Sequence, residues 1–542
     1  MTVRWILAAG LVLGLGCGDG STTSPSGDTS SQVTTETTPL AESCSGDALP
    51  RPFEAGGTGF AFGDVAGDFT VNELDGRVWT LSENWTGCDS YVFITYFEGG
   101  EGDALWASDV SSLLADAPRN VHFFFMSDEG GPARRESRVR AIADELSLGP
   151  ARAERVHFVT DRATQVEGSV GAFMSDYLAY RPDSGVDLGD RGTALAPMPA
   201  FLGIDREQQW DSGGYTNDFV GGSPRIGMAS YLPHFYDHKV ELAHRLATEE
   251  ATEVVLVDST VTERVFVVEA ELPSDLSAFD TVELDVSVFC PYRNVFACSE
   301  WDRIARIEVC TDGTDCEERR ELVRWITPYW RRGGRRWAID ASPLKGLLTG
   351  GSMAFRIVMG PSWERATERH TRMALRLSSQ AGAPARGIER VYVGGNFDDT
   401  YAESHPPVSF TPPADASRVE LVLLLSGHGQ AAVTNCAEWC DHRHAFEVNG
   451  TALPVVQSES GIGSTLGCAE KASEGVPPGQ YGNWSPQRAY WCPGLPVTPI
   501  VLDITEHVTA GEANELAYAA NYQGTAASGG GNIDLTAYVV WY

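Results

Sequence analysis

Residues 254–272 read VVLVDSTVTERVFVVEAEL, two apolar-alternating runs that meet at a polar break. Successive side chains of a strand point to opposite faces, so this period of two predicts a pair of half-buried antiparallel strands rather than helix. The same pattern recurs downstream. TVELDVSVF (281–289), RIARIEV (303–309), LVRWITPYW (322–330), AFRIVMG (354–360) and RMALRLSS (372–379) precede a PARG break at 384–387. ERVYVGG (389–395), RVELVLLLSG (418–427), HAFEVNG (444–450), TPIVLDITEHV (498–508) and IDLTAYVVWY (533–542) follow it. Gly, Pro, Asn and Asp separate the runs and no helix-length pattern interrupts them, which predicts two comparable antiparallel sandwiches or barrels.

Upstream of Thr252 the pattern changes. YVFITYF (91–97) and VHFFFM (121–126) are continuous apolar runs suited to strands covered on both faces. ESRVRAIADELSL (136–148) and the stretch from Ile226 to Ala251 space their apolar residues as amphipathic helices do. The order of pieces resembles a thioredoxin-like or redoxin domain. GDFTVNELDGRVWTL (67–81) is similar to its entry hairpin, and APMPAFLGIDREQQW (196–210) to its proline-led strand, with Met198-Pro199 as the candidate cis bond. Where that family carries Cys-x-x-Cys, this chain has EGGEGDALW (98–106), so the resemblance implies a fold without a redox nucleophile.

The chain has 542 residues, enough for several cores, and 40 basic against 74 acidic residues, for a net charge of −34. That charge repels phosphate backbones and anionic lipid, so nucleic-acid binding is not expected. MTVRWILAAGLVLGLGC (1–17) has the shape of a signal peptide, and its end at Cys17 resembles a lipoprotein signal in which that cysteine is acylated. Residues 18–45 are rich in Ser, Thr and Gly and predict a disordered tether. Eleven cysteines fit this picture: setting aside Cys17 leaves ten, and spacing suggests the pairs Cys44-Cys88, Cys290-Cys298, Cys310-Cys316, Cys436-Cys440 and Cys468-Cys492. The expected organisation is a signal segment at 1–17, a tether at 18–45, an α/β domain at 46–251 and β domains at 252–383 and 384–542.

Two stretches place an acid beside a tryptophan in a cysteine-tightened loop. FCPYRNVFACSEWDR (289–303) holds Glu300, Trp301, Asp302 and Arg303; strand alternation would put Glu300 and Asp302 on one face and Trp301 on the other. A carboxylate against an aromatic wall is partly desolvated and so tuned toward general-base work, although an ordinary surface pair with Arg303 would have the same sequence. NCAEWCDHRH (435–444) adds Glu438 and Trp439; its two cysteines with His442 and His444 have zinc-site elements, but an exported chain favours the disulfide and strand packing of the histidines. LGCAE (466–470) and GNWSPQRAYWCPG (482–494) add Trp484, Arg488 and Trp491 on a further cysteine-bounded loop. Trp faces stack on sugar C–H surfaces and Arg bonds hydroxyl and amide oxygens, so these loops suit sugar recognition as well as rim packing.

In order, C-x-EWDR, ITPYW, CAEWC and GNWxPxRAxWCPG resemble the peptide-N-glycosidase F family of bacterial glycoamidases over roughly residues 255–542. The resemblance implies a mainly β fold of two side-by-side jelly-roll β-sandwiches, here preceded by the α/β thioredoxin-like domain, with substrate held between the sandwiches. It implies catalytic roles for Asp302 and Glu438 and substrate contacts through Arg303, Arg488, Trp301, Trp363, Trp439 and Trp491. The pairs Cys290-Cys298, Cys436-Cys440 and Cys468-Cys492 match the family, while Cys310-Cys316 is an addition. Two departures stand out: VMGPSW (358–363) lacks the family's Glu before its Trp, and has Glu364 after Trp363; and SGHGQ (426–430) places His428 and Gln430 where the family has other residues.

The implied activity is hydrolysis of the amide between the innermost GlcNAc of an N-glycan and an Asn side chain. The alternative is an inactive relative that binds glycan at the cell surface or after secretion. N-glycosylated proteins or glycopeptides are the expected partners, with no cofactor or metal, membrane contact only through a lipid anchor, and a monomeric state. The expected location is outside the cytoplasm, as an outer-membrane or cell-surface lipoprotein or a secreted protein.

Overall fold

A computed structural model describes residues 51–60, 63–98, 100–146, 148–179, 201–214, 225–290, 301–329, 333–364, 368–380, 382–429, 436–457, 466–480, 483–522 and 531–542. Cys17, the tether, Cys44, the Met198-Pro199 bond, Cys298, Glu300 and Gln430 lie outside these residues. Among the described residues no helix is long and apolar enough to cross a membrane.

The amino-terminal region opens with a hairpin, β1 (Phe69–Asn72) and β2 (Val78–Thr80). It continues with β3 (Ser90–Tyr96), β4 (Val121–Ser127), β5 (Val156–Arg162), β6 (Glu167–Gly168), β7 (Phe201–Ile204) and β8 (Trp210–Gly214). Five of these strands form one sheet in the order β5-β4-β3-β7-β8, with β3, β4 and β5 parallel and β7 and β8 antiparallel to their neighbours. Every residue of β3 and β4 is buried, as their unbroken apolar sequence requires. Tyr91, Phe93, Phe124 and Met126 face one core; Val92, Ile94, Phe123 and Phe125 face the other, together with helices Pro132–Glu145 and Tyr231–Thr248.

The first β region comprises β9 (Thr252–Val261), β10 (Val265–Leu272), β11 (Thr281–Cys290), β12 (Ile304–Cys310), β13 (Arg319–Ile326), β14 (Gly333–Asp340), β15 (Gly351–Met359) and β16 (Arg369–Ser378). They pair antiparallel into two sheets, β9-β16-β11-β14 and β10-β15-β12-β13. The second region comprises β17 (Gly387–Asn396), β18 (Val408–Phe410), β19 (Val419–His428), β20 (His442–Val448), β21 (Thr451–Ala452), β22 (Val456–Gln457), β23 (Ile500–Asp503), β24 (Asn514–Tyr522) and β25 (Asn532–Trp541). Its sheets are β17-β25-β19-β23 and β18-β24-β20-β21, with the short β22 added beside β20. With β22 set aside, both regions follow one strand order: first, eighth, third and sixth in one sheet, second, seventh, fourth and fifth in the other. That is the jelly-roll order, and it confirms the expected pair of sandwiches.

The contact between sandwiches corrects one sequence expectation. RVELVLLLSG is not half-exposed: Val422 and Leu424 enter the core of the first sandwich, while Leu421, Leu423 and Leu425 enter that of the second. Strand β25 does the same through Tyr538 and Val540 on one side and Leu535, Ala537 and Val539 on the other. Both strands are apolar on both faces because their sheet is covered twice.

A polar cluster is set into this interface. The fully buried Arg324 on β13 donates from Nε and Nη2 to the Glu321 carboxylate at 2.8 and 2.6 Å. It also donates to Ser426 Oγ of β19 at 2.8 Å and to Asp534 Oδ1 of β25 at 3.0 Å. Thr536 Oγ1 and Tyr538 of β25 complete the cluster at Glu321, at its carboxylate and backbone carbonyl respectively. The outer edge of β13 is covered as well: Ile326 N–H donates to Leu495 O, and Gly494 and Val497 N–H groups donate back to Ile326 and Arg324 carbonyls, each near 2.9 Å. Removing Arg324 would leave the buried Glu321 and the partly buried Asp534 with Arg306 alone to balance them, so Arg324→Ala is expected to lower unfolding stability by about 3 kcal/mol, measured by urea denaturation.

Candidate active site

The ITPYW stretch assembles the first half of the site. Trp301, Asp302 and Arg303 lie immediately before β12, so strand alternation does not govern where they point; Thr327 does. Its Oγ1 accepts from Arg303 N–H at 2.8 Å and donates to Trp301 O at 3.1 Å, while its own N–H donates to Arg303 O at 2.8 Å. Two residues on, the Tyr329 hydroxyl donates to Asp302 Oδ2 at 2.6 Å. Tyr329 N–H is held in turn by Gln480 Oε1 at 2.8 Å, a residue of the second sandwich.

The second half turns on Gly427, the penultimate residue of β19. A Cβ there would stand 1.7 Å from Ala437 O, because the single helical turn Cys436–Trp439 is pressed against the strand at that point. Gly427 N–H donates to Ala489 O at 3.1 Å, and Gly427 O accepts from Trp491 Nε1 at 2.7 Å. Ala489 N–H donates to Glu438 O at 3.0 Å, and Gly429 N–H reaches Glu438 Oε2 at 3.1 Å. Between Arg488 and Trp491 the backbone doubles back, with Tyr490 at a left-handed φ of 67°. A bulky aromatic in that region is strained, and the pairing on either side of the turn maintains it.

Both halves converge on Arg488, which has no exposed surface. Its Nη2 lies 3.7 Å from Asp302 Oδ2 and its Nε 3.6 Å from Glu438 Oε1. The guanidinium carbon stands 4.7 Å from the Trp439 ring centre and 5.0 Å from that of Trp491, a cation held between aromatic faces. Nη2 also donates to the Tyr329 hydroxyl at 3.2 Å. Burial raises the pKa of both acids, and Arg488 opposes the rise in both. For Glu438 burial prevails, helped by the Asp302 charge, and its carboxyl is pushed up to about 7. Asp302 is raised as well, with the Tyr329 hydroxyl helping to hold its ionised form. These acids open onto a cleft of about 540 Å³ walled by Trp301, Arg303, Tyr329, Gly360, His428 and Trp491 among others.

Residues 396–540 match the family described as "Peptide-N-glycosidase F, C terminal". A curated relative, the peptide-N(4)-(N-acetyl-beta-D-glucosaminyl)asparagine amidase F of Elizabethkingia miricola, is 27% identical over 274 residues, covering 45% of this chain and 69% of that protein. Residues 396–540 thus carry the carboxy-terminal domain of the peptide-N-glycosidase F family. A crystal structure of a peptide-N(4)-(N-acetyl-beta-D-glucosaminyl)asparagine amidase is 22% identical over 54% of this chain and 96% of the other, with a TM-score of 0.43. The PNGase F structure described as a glycosylasparaginase from Flavobacterium meningosepticum has the same identity and coverages and a TM-score of 0.41.

Around this peptide-N-glycosidase F-like cleft the remaining expected residues fall at the rim or in the supports. Arg303 turns away from the two acids: its Nε donates to Glu364 Oε1 at 3.1 Å, and its guanidinium stands 5.2 Å from the ring of Trp363, which is 76% exposed. Cys310-Cys316 and Cys468-Cys492 are bridged. Cys88 and Cys440 are disulfide-bonded too. His442 and His444 are buried in the second core: His442 bonds Ala437 O and His444, and His444 bonds the Tyr518 hydroxyl. Thr327, Tyr329 and Gly427 were not singled out from sequence; the first two stand inside the ITPYW motif, which was the available signal. Gly427→Ala is expected to displace the turn carrying Glu438, lowering stability by about 1–3 kcal/mol and activity with it, measured by thermal unfolding and turnover.

Proposed function

We propose that this cleft hydrolyses the amide between the innermost GlcNAc of an N-glycan and the Asn side chain of a glycoprotein or glycopeptide, leaving Asp and a glycosylamine that loses ammonia. The observation that carries the proposal is the convergence of two carboxylates, one from each sandwich, on a single buried guanidinium in a tryptophan-walled cleft. Asp302 acts as general base or positions the water that attacks the carbonyl carbon. Glu438, protonated at and below neutrality, donates its proton to the departing amide nitrogen. Arg488 orients both acids, Trp439 and Trp491 dry the guanidinium, and Trp301 shapes the wall. Arg303 and Trp363 form an outer platform for sugar or peptide.

The amidase of Elizabethkingia miricola, as its name states, acts on such a linkage, which supports the same substrate class here. Export of the chain is proposed with it, supported by the disulfides, with Cys17 as the acylated residue. The α/β region is proposed to be a thioredoxin-like support without redox activity; the order and directions of β5-β4-β3-β7-β8 favour that assignment.

Incubation with a denatured N-glycoprotein is expected to release glycan and convert the glycosylated Asn to Asp, detected by mass spectrometry, and Asp302→Asn is expected to lower turnover about 10²–10⁴-fold. Glycopeptide binding without release, or release indifferent to Asp302→Asn, would overturn the proposal. Because the protonated form of Glu438 is the active one, turnover is expected to fall as pH rises through about 7, and Glu438→Gln to remove that limb of the profile from a much lower rate.

A further inference from the structure

His428 stands in the cleft wall next to Gly429, whose amide holds Glu438, yet the reaction above gives it no task. Its ring stacks on Trp491, with centroids 4.9 Å apart and planes inclined by 28°. Its Nε2 lies 2.7 Å from Ser426 Oγ. That oxygen is already the acceptor of Arg324 Nη1 at 2.8 Å. A guanidinium only donates, so the single hydroxyl proton of Ser426 remains to be given, and among the described residues its acceptor is His428 Nε2. Burial keeps the ring neutral, with its pKa pushed down to about 3. A neutral imidazole that accepts at Nε2 carries its proton on Nδ1. The buried charge of Arg324, in the interface between the sandwiches, therefore biases the tautomer of a residue in the cleft through one serine.

We infer that His428 is a substrate-positioning residue which presents Nδ1–H to the cleft as a neutral donor for the acetamido carbonyl of the sugar next to the scissile amide. The identity of that sugar rests on the amidase reading; the tautomer does not. At the cleft floor Asp302 is an acceptor and the Glu438 proton is committed to the departing nitrogen, while Arg303 and Arg306 are engaged by Glu364 and by Asp534. A carbonyl acceptor on the substrate thus takes its donor from the wall, and a neutral donor adds no charge that would draw Glu438 toward its ionised form. Sugar hydroxyls can donate or accept and have no need of a dedicated donor, whereas an acetamido carbonyl can only accept.

The test uses the full chain with ¹⁵N-labelled histidine. The His428 resonances, identified by their loss in His428→Phe, are expected to show Nδ1 protonated and Nε2 bare, and Ser426→Ala is expected to shift the proton toward Nε2. His428→Phe keeps a ring against Trp491 but removes the donor; it is expected to weaken binding of N,N′-diacetylchitobiose and raise KM about three- to tenfold, with a smaller change in kcat. His428→Asn, which restores a neutral N–H donor near the Nδ1 position, is expected to recover most of that loss. Ser426→Ala should weaken binding in the wild-type background and add nothing in His428→Phe. A wild-type Nε2–H tautomer, disaccharide binding unaffected by His428→Phe, or no disaccharide binding at all would overturn the inference. Disaccharide binding that follows the expected pattern without glycan release would instead overturn the amidase reading alone.

Discussion

One buried guanidinium sets the terms for the whole site. Arg488 has no exposed surface, so its charge must be balanced inside the protein, and the acids nearest it are Asp302 from one sandwich and Glu438 from the other. Neither contact is a close bidentate pair. At 3.7 and 3.6 Å the cation steadies two acids without locking either into a salt bridge, and this leaves burial free to raise both pKa values. A tighter pair would hold both acids ionised; a missing cation would leave two like charges buried together.

Such a compromise works only if the parts cannot drift, because the two acids belong to different sandwiches. The interface resists drift in three ways at once. Strands β19 and β25 send alternate side chains into both cores. Arg324 ties Glu321 to Asp534 and Ser426 across the seam. The segment from Gly494 to Val497 pairs along the edge of β13. Rigid elements behind a site, rather than contacts within it, hold the productive geometry.

Much of this was legible in the amino-acid sequence. Period-two runs from Val254 onward located most of the sandwich strands, and the acid-tryptophan pairs located both halves of the cleft, because both are local patterns. What local pattern cannot carry is the identity of the neighbour. RVELVLLLSG resembled a half-exposed strand because nothing in it announces a second covering layer. Strand alternation gives Asp302 a face, whereas a threonine some two dozen residues away pins its loop. Gly427 has no motif of its own; its importance lies in Ala437 O pressing against a place where no side chain fits. Sequence order groups Arg303 with the acids it follows, but its guanidinium pairs with Glu364, which arrives from beyond the end of β15.

The hydrophobic cluster on one face of the β3–β4 layer does not stop at the α/β region. It takes in Leu232, Phe235 and Tyr236, then Tyr329, and then Cys468, Ala469, Ala472, Trp484 and Cys492 of the loop that carries Arg488, with Trp301 packed alongside. Residues far apart in the chain therefore share one packing problem. Such a region cannot be exchanged between lineages as a loose module. It has to be inherited together with the loop it supports, and substitutions on the two sides of that boundary should be found changing in concert.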